Sequence, residues 1–399
     1  MAVQDAPSGD VAAERRRAWT VFSVVFLACV VAAFNQSKVP PLIPALVEDI
    51  QLSIVEAGLL MSVLSVAGMV LALPAGLLFR RFGPRRAGLG GIGSLLLGAL
   101  LGSLAPNSTW LLATRFLEGV GMGMSTVLAL TTIAAWFPPQ QRGLPIGIFT
   151  AWAPLGSLAM LLVAPPVYEV LGWRAVWLVG AAAALVCFVL YALLVEVPEQ
   201  GEGRATVHKG SWRQSMLNPN AWLLSLSFAC YQALRIALLT WAPTYLVSMA
   251  GLGLAAAAQV TSINQVVSIA ANLACGWVLV RVGSPRKLYT VAWLLFLPMA
   301  ALMLEVDPAW FAILFVSSAV VTSVNPVAVN AAAPETARSP SDTGPAVGIV
   351  AIGRNAGQVV GPVLFAVVLQ ATGGWEAVGI VLIGGTLLGL VSGWLVRVR

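Results

Sequence analysis

Four basic side chains stand inside long apolar runs: Lys38, Arg115, Arg235 and Arg354. A lone charge at the centre of a membrane helix costs roughly 2.5–3.5 kcal/mol on insertion scales. Each must therefore meet an acid, reach an interface or line a wet cavity. The clear acid within these runs is Glu118, three residues after Arg115. That spacing puts both on one helix face, so a salt bridge is expected. A proton-carrying carboxylate is the other chemistry open to Glu118. Lys38, Arg235 and Arg354 are left with no acid inside the runs. An uncompensated cationic cavity attracts an anion, and a guanidinium fork suits a carboxylate or another planar oxyanion.

Amides accompany these bases. Asn35-Gln36-Ser37-Lys38 is a polar segment within the first apolar run. Gln232 lies three residues before Arg235, and Gln358 four after Arg354. Asn264, Ser268 and Asn272 recur every four residues and predict one polar face on the eighth run. Asn325-Pro326 is expected to interrupt the tenth. The candidate substrate-binding set is therefore Lys38, Arg235, Arg354, Asn35, Gln232, Asn264, Asn272, Asn325 and Gln358. Interhelical hydrogen bonding is the competing use for each amide, and snorkelling to an interface for each base.

The elements that must position these groups follow from composition. Of 399 residues, 59% are hydrophobic and 10% charged, too few charges to coat a soluble body of this size. Twelve apolar runs reach membrane-spanning length: 19–46, 54–79, 87–105, 110–136, 144–168, 173–195, 219–248, 258–281, 288–304, 309–333, 345–371 and 375–396. The remaining bases cluster on alternate connections, including Arg15-Arg16-Arg17, Arg80 to Arg86, and Arg281 to Lys287. Placing those connections in the cytoplasm puts both termini there too. The net charge of +6 is then a topology signal and implies no nucleic-acid partner. Small-residue cleavage signals do not follow the first run, so it is expected to stay as a helix.

The polar stretch 197–218 divides the runs six and six. Residues recur at an offset near 200: Gly83, Gly156 and Gly172 as Gly283, Gly357 and Gly373, and Cys29 as Cys230. The expected fold is an all-α integral membrane protein of twelve transmembrane helices in two pseudo-symmetric halves. Its parts are a cytoplasmic tail at 1–18, a six-helix half at 19–196, the cytoplasmic loop 197–218 and a second half at 219–399. Two parallel six-helix halves around a midplane site is a transporter architecture. The four scattered cysteines and the single His208 make no metal pattern, and no P-loop or catalytic constellation occurs. No cofactor, metal or enzyme activity is expected.

The connection Gly76-Leu77-Leu78-Phe79-Arg80-Arg81-Phe82-Gly83-Pro84-Arg85-Arg86 resembles the cytoplasmic signature of the major facilitator superfamily. Arg80 stands where that signature has aspartate. The resemblance implies a gating role for Gly76, Arg80, Arg81, Gly83 and Arg85, with the aspartate's part of the latch missing. Arg115, Gly119 and Gly123 are similar to the family's fourth-helix motif. The segments Phe34 to Pro41 and Leu239 to Leu246 resemble the cyanate/nitrate-type permeases within the family, which implies a small anion.

The expected function is secondary transport of a small anion, organic carboxylate or inorganic oxyanion, by alternating access. The partners expected are the substrate, a counter-anion or a proton, and the lipid bilayer of a bacterial cytoplasmic membrane, with the chain a monomer. Two other readings stand beside it. One is proton-driven export of lipophilic compounds, because Gly147 to Gly156 with Ala153-Pro154 shares part of the family's exporter motif. The other is a non-transporting receptor or scaffold on the same fold.

Overall fold

The structure is a computed structural model and describes residues 8–138, 141–195, 218–337 and 343–396. The loop expected at 197–218, with His208, lies outside the described residues except for Asn218. So does the start of the tail at 1–18. The helices are α1 (Ser8–Gln36), α2 (Ile43–Asp49), α3 (Ile54–Ser103), α4 (Ser108–Trp136), α5 (Gly143–Phe149), α6 (Trp152–Leu171) and α7 (Trp173–Leu194). After the central stretch follow α8 (Pro219–Ala250), α9 (Leu254–Val282), α10 (Pro285–Leu302), α11 (Pro308–Glu335), α12 (Thr343–Thr372) and α13 (Trp375–Leu395). Among the described residues ten helical stretches are long and apolar enough to cross a membrane by length and composition, and Ile54–Val70 is a shorter apolar helix. The described residues contain no strand.

Three of the expected runs differ from continuous helices or breaks, and proline chemistry accounts for each. The run 19–46 is not one helix. α1 stops at Gln36, a turn carries Ser37 and Lys38, and Pro40–Leu42 forms a 3-10 turn before α2. Pro40 and Pro41 have no N–H to continue the helical ladder. Irregular backbone at membrane depth is tolerated where protein buries it, and Val39 to Ile43 are buried. The run 144–168 is likewise cut at Thr150 and Ala151, four and three residues before Pro154. In contrast, α11 runs straight through Asn325-Pro326, so the interruption expected there does not form. A neighbour-packed membrane helix accommodates one missing donor.

The expected runs 54–79 and 87–105 are joined as α3, kinked at Gly83 with φ 76° and ψ 161°. Gly172 sits at φ 78°, Gly283 at 64° and Gly373 at 70°. The repeat noticed in the sequence thus places glycine twice over at left-handed backbone, where a Cβ is strained. Gly83→Ala is expected to cost about 1–3 kcal/mol, seen as a lower melting temperature in detergent. Gly147→Ala is the control: it lies in ordinary helix and its added Cβ would meet nothing.

Packing repeats as well. α1 packs on α6 with Gly156 against the Val30 carbonyl, and α8 packs on α12 with Gly357 against the Ala229 carbonyl. Arg85 donates to the Ala192 carbonyl at 2.7 Å in the last turn of α7. Arg286 donates to the Trp394 carbonyl at 2.6 Å in the last turn of α13. Both arginines satisfy a helix C-terminus, which carries orphan carbonyls and partial negative charge.

The two repeats meet where α3 crosses α12 and α6 approaches α9. Ser62 donates to the Val359 carbonyl at 2.6 Å and Val55 N–H to Gln370 at 3.3 Å. One buried apolar cluster there includes Val39, Leu42 and Leu46 together with Leu238, Trp241 and Leu246. Val55 opens α3 and Gln370 lies in the last turn of α12, so this contact stands away from the arginine-rich connections. Nearer those connections the added Cβ of Gly147 or Gly348 would meet open space.

Candidate functional site

The break in α1 is anchored by charge. Lys38 Nζ lies 2.7 Å from Glu118 Oε1 and 3.2 Å from Asn35 Oδ1, with the Trp177 ring 4.7 Å away. Arg115 reaches the other oxygen of the same carboxylate at 2.5 Å. Its remaining N–H groups donate to the carbonyls of Asn35 at 2.9 Å, Gln36 at 3.1 Å and Leu60 at 3.1 Å. Asn35 and Gln36 end α1, so two of these carbonyls lack helical partners and Arg115 caps them. Lys38, Arg115 and Glu118 are all fully buried.

This corrects the expectation that Lys38 has no acid. The i, i+3 spacing brings Arg115 to Glu118, but Glu118 also serves Lys38 from α4. Asn35 is committed too: its amide donates to the Val31 and Gly180 carbonyls at 3.0 and 3.2 Å. Both residues hold α1 to α4 and α7.

Beside the break is a central cavity of ≈ 40 Å³, lined by Gln36, Ser37, Pro40, Met61, Ala153, Ser157, Leu161, Arg235, Ile236, Leu239, Thr261 and Gln265. It draws on α1, α3, α6, α8 and α9. Arg235 is its one charged lining residue and has no ion pair among the described residues. Gln265 is buried and its Nε2 donates to Ser157 Oγ at 3.2 Å, joining α9 to α6. Gln36 Nε2 and Gln265 Oε1 are buried without a partner. Unpaired amide atoms on two walls of one cavity are unusual in a native fold and suit a polar occupant.

Arg354 also has no ion-pair partner among the described residues. On α12, Gly353, Gly357 and Gly361 face α8, and Ser62 meets the Val359 carbonyl from α3. Ile352, Val360 and Val367 form the exposed apolar face. Helical geometry puts Arg354, which is exposed, and the half-buried Gln358 opposite that face, and neither lines the central cavity. Gln232 is buried one turn before Arg235.

The stripe on α9 turns elsewhere. Asn264 is buried and donates to the Phe315 carbonyl of α11 at 2.7 Å. The Ser268 carbonyl accepts from Ser323 at 3.4 Å, and Asn272 is half-buried further along. The cavity face is Thr261 and Gln265, which the four-residue stripe does not point to. Asn325 is buried on α11 with Oδ1 unpartnered, outside the cavity lining. At the arginine-rich end, Arg81 stacks over Phe82 at 5.5 Å and Gly83 makes the kink. The side chains of Gly76 and Arg80 lie outside the described residues. All four cysteines are free and buried.

An all-helical chain with ten candidate membrane spans among its described residues, repeated glycine contacts and a central cavity with one base has the build of a membrane carrier. The family model of the Major Facilitator Superfamily matches residues 25–339 and, in a second match, 260–399. The chain belongs to that superfamily and is a multi-pass membrane protein.

Over 401 residues it is 24% identical to the probable sulfoacetate transporter SauU of Cupriavidus necator, covering 93% of this chain and 91% of that protein. It is 28% identical over 280 residues to the probable L-galactonate transporter of Escherichia coli K12, covering 65% of this chain and 61% of that one. The niacin transporter NiaP of Acinetobacter baylyi is 31% identical over 182 residues, 45% of this chain and 40% of NiaP. The chain thus spans less than two thirds of the galactonate and niacin relatives. The fold is similar to a bacterial homologue of the human lysosomal transporter Spinster, in an inward-facing and occupied conformation. The TM-score is 0.77 at 16% identity, over 94% of each chain.

Proposed function

We propose that this chain is a secondary transporter that carries a small anion across the membrane by alternating access. The observation that carries the reading is Arg235: a guanidinium on the central cavity, with no ion-pair partner among the described residues, beside unpaired amide groups. Two of the relatives bear the names of carboxylate carriers, sulfoacetate and L-galactonate, which supports an organic acid. Lys38 takes a different part from the one its type suggests. Held by Glu118, it positions the broken end of α1, whose Gln36 and Ser37 line the cavity.

In this reading the units 19–196 and 219–399 rock about the cavity, with the termini in the cytoplasm. The repeated contacts of Gly156 and Gly357 support that division. The α3–α12 contact is the closed outer gate, and the cavity opens toward the arginine-rich side. An anion that enters meets Arg235 and then screens its charge from Arg354. Lower repulsion lets the open end close. Exchange for a second anion requires nothing further; proton symport would use the substrate or Glu118.

The test is uptake of labelled carboxylates into proteoliposomes. Arg235→Ala is expected to lower uptake by about 10–100-fold, the worth of one charged hydrogen bond. Arg235→Lys should recover part of it by keeping the charge without the fork. Unchanged uptake in both Arg235→Ala and Arg354→Ala would sink the cationic-site model.

A further inference from the structure

A second cavity, of ≈ 680 Å³, opens at the arginine-rich end where α9 ends, α10 begins, and α11 and α13 finish. Arg286, Lys287, Ser284, Thr290, Glu335 and Trp394 are among its lining. Its function is not absorbed by transport through the centre. Three observations bear on what would fill it. First, the lining carries two bases against one acid, and Lys287 is exposed with no ion pair among the described residues. The N-terminus of the 18-residue helix α10 adds its partial positive charge at the same place.

Second, Thr290 Oγ1 is buried without a hydrogen-bond partner on the cavity lining. Arg286 is half-committed: it donates to the Trp394 carbonyl and keeps further N–H groups for another acceptor. Third, the cavity gives onto an apolar stripe. Val291 lines it at 51% exposure, and Leu294 and Leu295 continue along the same face of α10 at 52% and 56%. Trp394 lines it and is exposed, and toward the end of α9 Trp277 is exposed with Arg281 stacked over it at 3.5 Å. Tryptophans and bases together mark the bilayer interface. Topology alone would need the bases; it would not need a cavity that joins them to a lipid-facing stripe.

We propose that this cavity binds the phosphate headgroup of an anionic phospholipid, with the acyl chains lying along Val291, Leu294 and Leu295 of α10. The phosphate sits among Lys287, the free N–H groups of Arg286 and the first turn of α10. A soluble phosphate shares the headgroup chemistry, but it would leave the apolar stripe unused. Basic pockets between helices at a membrane's cytoplasmic face suit such headgroups. The bound lipid would tie together the ends of three helices that the Arg286 bond already links in part.

The experiment uses the full chain, purified in neutral detergent. Retained lipid is counted by native mass spectrometry with phosphatidylglycerol or phosphatidylcholine of equal chain length. Melting temperatures are read with short-chain forms of each lipid and with inorganic phosphate alone. The expected result is preferential retention of phosphatidylglycerol, reduced about fivefold or more by Lys287→Glu. Because Lys287 holds no partner, the variant should melt with the unaltered protein in phosphatidylcholine. Arg286→Gln should also release lipid, but it breaks the Trp394 bond, so Lys287→Glu decides. Equal phosphatidylglycerol retention by Lys287→Glu, or equal retention of both lipids, overturns the site. A melting shift from inorganic phosphate as large as that from the lipid overturns the lipid as its source.

Discussion

Glu118→Gln is expected to destabilise the folded chain by about 3–5 kcal/mol, the cost of breaking a buried ion pair from one side. The carboxylate serves two fully buried cations at once, Lys38 at 2.7 Å and Arg115 at 2.5 Å. Glutamine offers one acceptor and no charge, so both cations lose their counter-ion without regaining water. Arg115 keeps its carbonyls on Asn35, Gln36 and Leu60, whereas Lys38 keeps Asn35 and the Trp177 face. The loss should therefore fall mainly on Lys38. Lys38→Met in the Glu118→Gln background should recover a substantial part, because it removes the worst-placed charge. Both are read as melting temperatures in detergent. If Glu118→Gln melts with the unaltered protein, Glu118 does not hold Lys38.

The fold was legible in the sequence for reasons tied to lipid. Apolar length set the helices, and the glycines at 83, 172, 283 and 373 marked left-handed connections that no other residue occupies cheaply. The kink that joins two runs at Gly83 was not legible, because apolar length does not record helix direction. The site was legible in part. Arg235 stood out because nothing near it in sequence could neutralise it, and among the described residues it has no ion pair in space either. Lys38 looked the same and is not. Its partner lies 80 residues away on α4, and helical spacing sees neighbours on one helix alone. The clue available was arithmetic: one acid among four intramembrane bases can serve more than one of them. The polar stripe of Asn264, Ser268 and Asn272 misled for a related reason. Amides in a membrane interior bind other helices as readily as they bind a ligand, and Asn264 holds α11. Gln265, one position on, reaches the cavity.

Gly357→Val should be strongly damaging, and its sign differs from that of a substitution elsewhere on the same helix. The three glycines Gly353, Gly357 and Gly361 rest on the Ser225, Ala229 and Ala233 carbonyls of α8, so the two backbones touch along two turns. A side chain at Gly357 would run into main chain, which has no rotamer to give. Overpacking a fitted interior costs about 1–3 kcal/mol or more, and here a whole crossing must part. The expected outcome is a large fall in melting temperature, with a smaller fall for Gly357→Ala. Gly348 on α12 has open space where its Cβ would stand. Gly348→Ala should instead raise stability by about 0.4–1 kcal/mol, since it removes freedom from the unfolded chain at no steric cost. The counterpart crossing gives an internal check. Gly156 rests on the Val30 carbonyl of α1 as Gly357 rests on Ala229. Gly156→Val should therefore match Gly357→Val in direction, and a neutral result at either would mean that the backbones do not approach this closely. In the proposed transport cycle close approach matters because α1 and α6 of one pair and α8 of the other line the cavity. In that proposal rigid pairs would swing as units, which would keep the charge on Arg235 fixed relative to its own wall while the opposite wall moved.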